Sequence, residues 1–493
     1  MVVLSIMMKR LFFYIILAVS VAFASCEDND SFGVSPSNIF TFSEDTINMD
    51  TVFSTVPTPT YSFWVYNNSG DGIRINQARL QRGNQTGFRV NVDGFYLDNS
   101  MGSLVNNIEV RDGDSIRVFV ELTSAANGQD VPVLLEDDLL FLLESGVEQK
   151  VNLRAFSWDA QLMDSLVVKS DMIIESSKPI VIRKGIVVDS LATLTVNHPT
   201  SLYFGADAGI DVFGRLLVNQ NTEGEVVMRG DRTDRMFPYL PYDRVSGQWK
   251  GIRIHSSSFE NEIRNADIHS GYYGIICDSV GYDQNRMRLS LENVTIHNCK
   301  GPGVQAFNSN ISIVNCQISN TLGDCLSVYG GNAFMVYTTL AQFYPFSADR
   351  GVALRFANYD GEYNYPLHLF ECYNSLVTGY ADDVIMGETN DSTVAFNYHF
   401  QNSLLRTPVV EDSVRFVNVI WETAEDSVQG KMHFINIDED NLVYDFHLDS
   451  LSTARNKAIS ATSFPFDRDG VMRKEDTPDV GCYEYVEKES GIN

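Results

Sequence analysis

Short apolar runs separated by polar turns fill the chain. From about residue 40 to 157 the runs alternate apolar with polar. Tyr61-Ser62-Phe63-Trp64-Val65-Tyr66 passes into Asn67-Asn68-Ser69-Gly70, and Asp112-Gly113-Asp114 leads into Ile116-Arg117-Val118-Phe119-Val120. Strands of this length with turns at regular spacing predict an antiparallel, Ig-like β-sandwich. From residue 159 the pattern tightens. Ile180-Val181-Ile182, Leu194-Thr195-Val196, Leu202-Tyr203-Phe204 and Ile210-Asp211-Val212 follow at short intervals, joined by Gly, Asn, Asp and Pro with no helical period between them. Parallel strands ordinarily need helical crossovers. Strands wound as turns of a coil need only corners.

Repetition points to such a coil. Asn265-Ala266-Asp267-Ile268, Asn293-Val294-Thr295-Ile296 and Asn315-Cys316-Gln317-Ile318 share one shape, and with Leu340 their apolar positions step by 28, 22 and 22 residues. A second column, Ile252, Ile275, Val304 and Leu326, steps by 23, 29 and 22. One loop insertion near Gly281–Met287 lengthens both, leaving a unit of about 22 residues, within the range of solenoid repeats.

The Gly214-Arg215-Leu216-Leu217-Val218 strand, the Val226-Val227-Met228 strand and Gln248-Trp249-Lys250-Gly251-Ile252 resemble the opening of Bacteroidetes right-handed parallel β-helix proteins. Asp467-Arg468-Asp469-Gly470 and Asp479-Val480-Gly481-Cys482-Tyr483-Glu484-Tyr485 resemble their closing signature, with Cys482 where Ala is usual. The resemblance covers roughly residues 160–486 and implies a fold; it implies almost nothing about activity. The expected fold class is therefore all-β, a right-handed parallel β-helix (solenoid) preceded by an antiparallel Ig-like β-sandwich.

At the N-terminus Lys9 and Arg10 precede an apolar run from Leu11 to Phe23, too short to span a bilayer, which closes on Ala24-Ser25-Cys26. Phe23-Ala24-Ser25-Cys26 resembles the bacterial lipobox, which implies that Cys26 is lipidated. Glu27-Asp28-Asn29-Asp30 resembles a surface-export signal. The expected organisation is a signal peptide over 1–25, a tether over 26–39, the sandwich over 40–158 and the β-helix over 159–486. The expected location is the outer membrane, lipid-anchored and facing outward.

A net charge of −28 argues against nucleic acid as a partner. The six remaining cysteines show no disulfide framework or CxxC pair, so buried, stacked thiols are expected. Neither a cofactor nor a metal is expected. His269 and His297 follow inward Ile268 and Ile296 and should stack on adjacent coils about 4.8 Å apart. No third ligand appears in their column, so they read as solvated surface histidines. The Asn265, Asn293 and Asn315 column reads as an internal amide ladder.

No catalytic residue is assigned: Asp382-Asp383 is the only Asp pair in the coils, and strand neighbours point to opposite faces. Asp324 stands alone at a corner. Two inserted loops hold aromatic planes beside hydroxyl-accepting groups, which suits sugar contact and equally suits tyrosines folded back over the end of a coil. They contribute Tyr239 and Tyr242, and Tyr359, Asp360, Glu362, Tyr363 and Tyr365. Triplets such as Asp114-Ser115-Ile116 and Asp189-Ser190-Leu191 resemble O-glycosylation acceptors, and equally read as turns feeding strands. The functional expectation is a surface module that binds polysaccharide or a surface protein, or serves as structure. The alternatives are a polysaccharide lyase or glycoside hydrolase, and a bare architectural spacer.

Overall fold

The computed structural model describes residues 31–487 except 221–222, 425–429 and 461–462. Cys26 and its leader lie outside the described residues. Among those described, no helix is long and apolar enough to cross a membrane. The chain forms two compact units: the first runs to Asn127 and resumes over Pro132–Trp158, and the second takes Gly128–Val131 and the chain from Asp159 onward.

Two five-stranded sheets build the first unit. Strands such as Phe88–Val92 and Ser115–Leu122 bury every second residue, so one face of each sheet is apolar. Phe63, Val90 and Val118 from one sheet and Ile75, Phe141 and Leu153 from the other share one core. The pairing is not wholly antiparallel. Thr46–Phe53 runs parallel to Glu148–Trp158, where the sequence pattern led us to expect antiparallel strands throughout. Part of the expected tether is also docked. The Ser31 hydroxyl donates to Asp71 at 2.5 Å, the Gly33 N–H donates to the Gly72 carbonyl at 3.1 Å, and the Arg74 guanidinium lies over the Phe32 ring.

In the second unit, 26 strands join in one continuous sheet whose pairings are parallel. Each strand pairs with the strand one coil later. Ile268 sits against Ile296, Ile296 against Ile318, and Ile318 against Leu340, the column read from the repeats. The second column, from Ile252 to Leu326, is likewise in register. These residues are fully buried and share one continuous apolar core with Leu202, Leu354 and Phe370. The corners are turned by residues with positive φ, among them Asn265, Asn293, Asn298, Asn315 and Asn320. Asn tolerates the left-handed region because its short amide bonds locally.

The asparagine ladder forms at its first rung only. Asn293 Nδ2 donates to Asn265 Oδ1 at 3.0 Å, but both side chains are only half-buried. Asn315 turns away and bonds the C-terminal tail. That tail runs along the flank of the coils. Arg473 donates to Asn315 Oδ1, the Tyr483 hydroxyl to Gln317 Oε1, and the Cys482 N–H to Thr339 Oγ1, while the Gly481 N–H reaches the Asn374 carbonyl. Arg468 pairs with Glu225. All six cysteines from Cys277 to Cys482 are free and buried. Burial pushes the thiols of Cys277, Cys316, Cys325, Cys372 and Cys482 up to about 12.

Candidate functional site

Between the strands Val226–Gly230 and Ile252–Ile254 the chain leaves the coil and makes a hairpin, Arg235–Phe237 against Leu240–Pro241. A 3-10 turn, Tyr242–Arg244, then returns it to the coil surface. Gln248 and Gly247 donate their N–H groups to Ser270 and Gly271, and the Trp249 indole N–H donates to the His269 carbonyl at 2.8 Å. Trp249 itself is fully buried and stacks on Phe204 at 4.6 Å. The insertion is thus anchored at its end and lies across the histidine column.

That cover changes the histidines. They stack as expected, with ring centroids 4.7 Å apart. They are not both solvated, because the inserted turn leaves His269 only 5% exposed. His269 Nδ1 lies 2.9 Å from Asp267 Oδ1, and His269 Nε2 lies 2.9 Å from Asp243 Oδ1. His297 Nε2 reaches the same Asp267 oxygen at 3.2 Å. Arg229 pairs with the same Asp243 oxygen, and its guanidinium lies over Tyr203. Burial opposes charge on His269, but Asp267 and Asp243 outweigh it and push its pKa up from 6.5 to about 9. Burial also opposes ionisation of the two carboxylates, yet the histidines hold both well below the usual range, with Arg229 adding to the effect at Asp243.

The column showed two potential ligands, and the third stood in the row. Asp267 lies two residues before His269 on the same strand face, so an Asp-x-His triplet was the available signal. Asp243 had no signal in the repeat, because it arrives from the insertion.

This cluster gives a definite pH dependence. A raised imidazole pKa means that its stabilisation is complete below 6.5 and disappears as pH rises through about 9. The depressed carboxylates act oppositely, losing their contribution as pH falls below 3.8. The thermal midpoint of the β-helix should therefore be highest between those limits and fall through pH 9. In His269→Gln the alkaline fall should be shallower, and parallel profiles would show that the pairs do not couple to folding.

The expected sugar-contact residues divide. Tyr239 is 51% exposed and stacks on Phe237, itself 50% exposed, with centroids 5.8 Å apart and planes 11° from parallel. Tyr242 is half-buried with the Arg232 guanidinium over its ring at 3.8 Å, so that face is taken. Arg232 is fixed in turn by Asp234. In the second loop, Tyr359 and Asp360 pair with Asn364 and Tyr363 as a short hairpin. Tyr363 is 71% exposed, and Asp360 and Glu362 are exposed beside it. Tyr365 folds back, edge-on to Phe307 and close against Gly330. Tyr359 is half-buried. Of the tyrosines expected to contact sugar, Tyr239 and Tyr363 are the exposed ones.

The acidic residues weighed for catalysis are already engaged. Asp382 pairs with Arg406, Asp383 accepts from Thr407, and Asp324 pairs with Arg355. An open groove of about 520 Å³ is lined by Glu225, Arg264, Glu292, Asp467, Arg468 and Asp469 among others. Its acids are cross-linked too: Arg468 bridges Glu225 and Asp469, and Asp467 accepts backbone N–H groups of Asp469, Val471 and Glu484.

These elements define an all-β protein, a long parallel sheet wound as a β-helix and preceded by sandwiched sheets that are antiparallel save for one strand pair. A family model described as "Right handed beta helix region" matches residues 244–340. No curated protein matches the chain. Among solved structures, the pectate lyase Pel9A is 13% identical, with 66% of this chain and 88% of that one covered and a TM-score of 0.34. The catalytic unit of a GH87 α-1,3-glucanase from Streptomyces thermodiastaticus is 10% identical over 73% of this chain and 88% of its own, TM-score 0.23. A PapD-like domain of human CEP192 is 11% identical over 26% of this chain and 90% of its own, TM-score 0.17.

Proposed function

We propose that this protein is a surface-held binding module that contacts glycan through the tip of the Arg235–Pro241 hairpin. The stacked, half-exposed Phe237 and Tyr239 rings carry this reading. Sugar rings present apolar C–H faces, and burying them on an aromatic plane gains contact without stranding a polar group. The tip stands on a rigid foot, since Asp243 is clamped by His269 and Arg229. Pre-ordering of that kind lowers the entropy lost on binding. Tyr363, exposed beside Asp360 and Glu362, supplies a second contact of the same chemistry. Cys26, with the charged and apolar stretch before it, provides the lipid that holds the module to the outer membrane.

Retention on immobilised acidic and neutral polysaccharides tests this directly. Tyr239→Ala should weaken binding about tenfold, about 1.4 kcal/mol, while shifting stability by no more than about 0.5 kcal/mol. Equal retention of wild type and variant removes the tip from the reading, and new reducing or unsaturated ends replace it with an enzymatic one. In the same cells, Cys26→Ala should move the protein out of the membrane fraction, and unchanged fractionation would end the anchor proposal.

A further inference from the structure

The histidine stack offers more than a clamp. We infer that Asp267, His269 and His297 form a binding site for a divalent transition metal of the zinc type, with Asp243 orienting His269 from behind. The three side chains each offer one ligand atom, and these atoms lie within 4.8 Å of one another. Two of the ligand-to-ligand distances are 2.9 and 3.2 Å, both to Asp267 Oδ1. Zinc bonds of about 2.0–2.1 Å in tetrahedral geometry require edges of roughly 3.3–3.4 Å, so those two edges open by only a few tenths of an ångström. The donor set, two imidazoles and a carboxylate, suits zinc, cobalt, nickel or copper and not calcium or magnesium.

Sequence and fold hold the set in place. His269 pairs directly with His297 in the parallel ladder, so the stack is imposed by backbone register. His269 is buried, and its Nε2 faces Asp243, which Arg229 anchors. A ligating histidine whose other nitrogen donates to a carboxylate is fixed in tautomer and orientation. Arg229, Asp243 and Asp267 are the charged groups facing His269, together with His297 across the stack. Metal then takes the place of the Nδ1 proton: one proton leaves His269 for solvent as one metal–nitrogen bond forms. The Nε2 proton stays, shared with Asp243. His297, half-buried, also lines a cavity of about 170 Å³ with Thr295, Gln317, Ser319 and Tyr444.

The site uses no residue of the hairpin tip and shares with the glycan reading only its foot, Asp243 and His269, so metal binding and glycan retention are read separately. The test uses the full, tag-free chain titrated with zinc chloride, followed by calorimetry in buffers of different ionisation enthalpy. One metal per chain should bind, with release of the proton that the metal displaces from His269. His297→Ala and Asp267→Asn should each weaken binding by tenfold or more, and Asp243→Asn by about tenfold. Because a variant can fail by misfolding, the wild-type chain is also loaded with cobalt. X-ray absorption should show histidine nitrogen ligation. Absence of stoichiometric zinc binding, binding unchanged in His297→Ala, or a cobalt spectrum without histidine nitrogen overturns the inference.

Discussion

Trp249→Ala should destabilise the β-helix by about 3–5 kcal/mol, as expected for deleting a fully buried indole. Three losses combine. The ring fills the coil interior against Phe204, its area is entirely withdrawn from water, and its N–H satisfies the His269 carbonyl. Trp249→Phe keeps the stack and loses the hydrogen bond, and should cost about 1–2 kcal/mol. Denaturant unfolding followed through a probe in the second unit distinguishes them. A Trp249→Ala cost below that of Trp249→Phe would show that the insertion is not anchored through this ring.

Glu422→Ala should cost about 3–5 kcal/mol for a different reason, the stranding of a buried charge. Arg406 is only 1% exposed at its side chain, and Glu422 5%. The carboxylate accepts from Arg406 and from the Gly430 N–H on one oxygen, and meets Thr378 and His433 on the other. Burial opposes its ionisation, but His433, the Gly430 N–H and Arg406 together hold its pKa below the usual value. Without Glu422 the guanidinium retains the exposed Asp382 and the Ala381 carbonyl. Replacing both partners, Arg406→Met with Glu422→Leu, should cost less than Glu422→Ala alone. If the double variant is the less stable of the two, the pair contributes net stability beyond its desolvation.

The coil was legible because its signal is periodic. Ile268, Ile296, Ile318 and Leu340 recur at a nearly constant step, and burial of one face makes register a sequence property. The asparagine corners were legible as a column, but not their conformation, since the residue type was read as a hydrogen-bonding rung and its left-handed φ was the stronger constraint. The histidine cluster was half legible. Stacking followed from the step, whereas burial came from a hairpin inserted outside the repeat. Contacts such as Tyr483 with Gln317, 166 residues apart, have no local signature at all. The same holds for Asp382 and Asp383, whose partners Arg406 and Thr407 sit on the next coil.

The flanking tail has a consequence for how the β-helix comes apart. A stack in which each coil touches only its neighbours frays from its ends, one layer at a time. Here the C-terminal tail, through Ile459, Arg468, Arg473, Cys482 and Tyr483, holds on to coils from Glu225 through Asn315, Gln317 and Thr339 to Asn374. It acts as a splint. Peeling one layer then requires surrendering bonds to layers still intact, so the central coils open together, and a single proteolytic cut in the splint would return them to independent fraying.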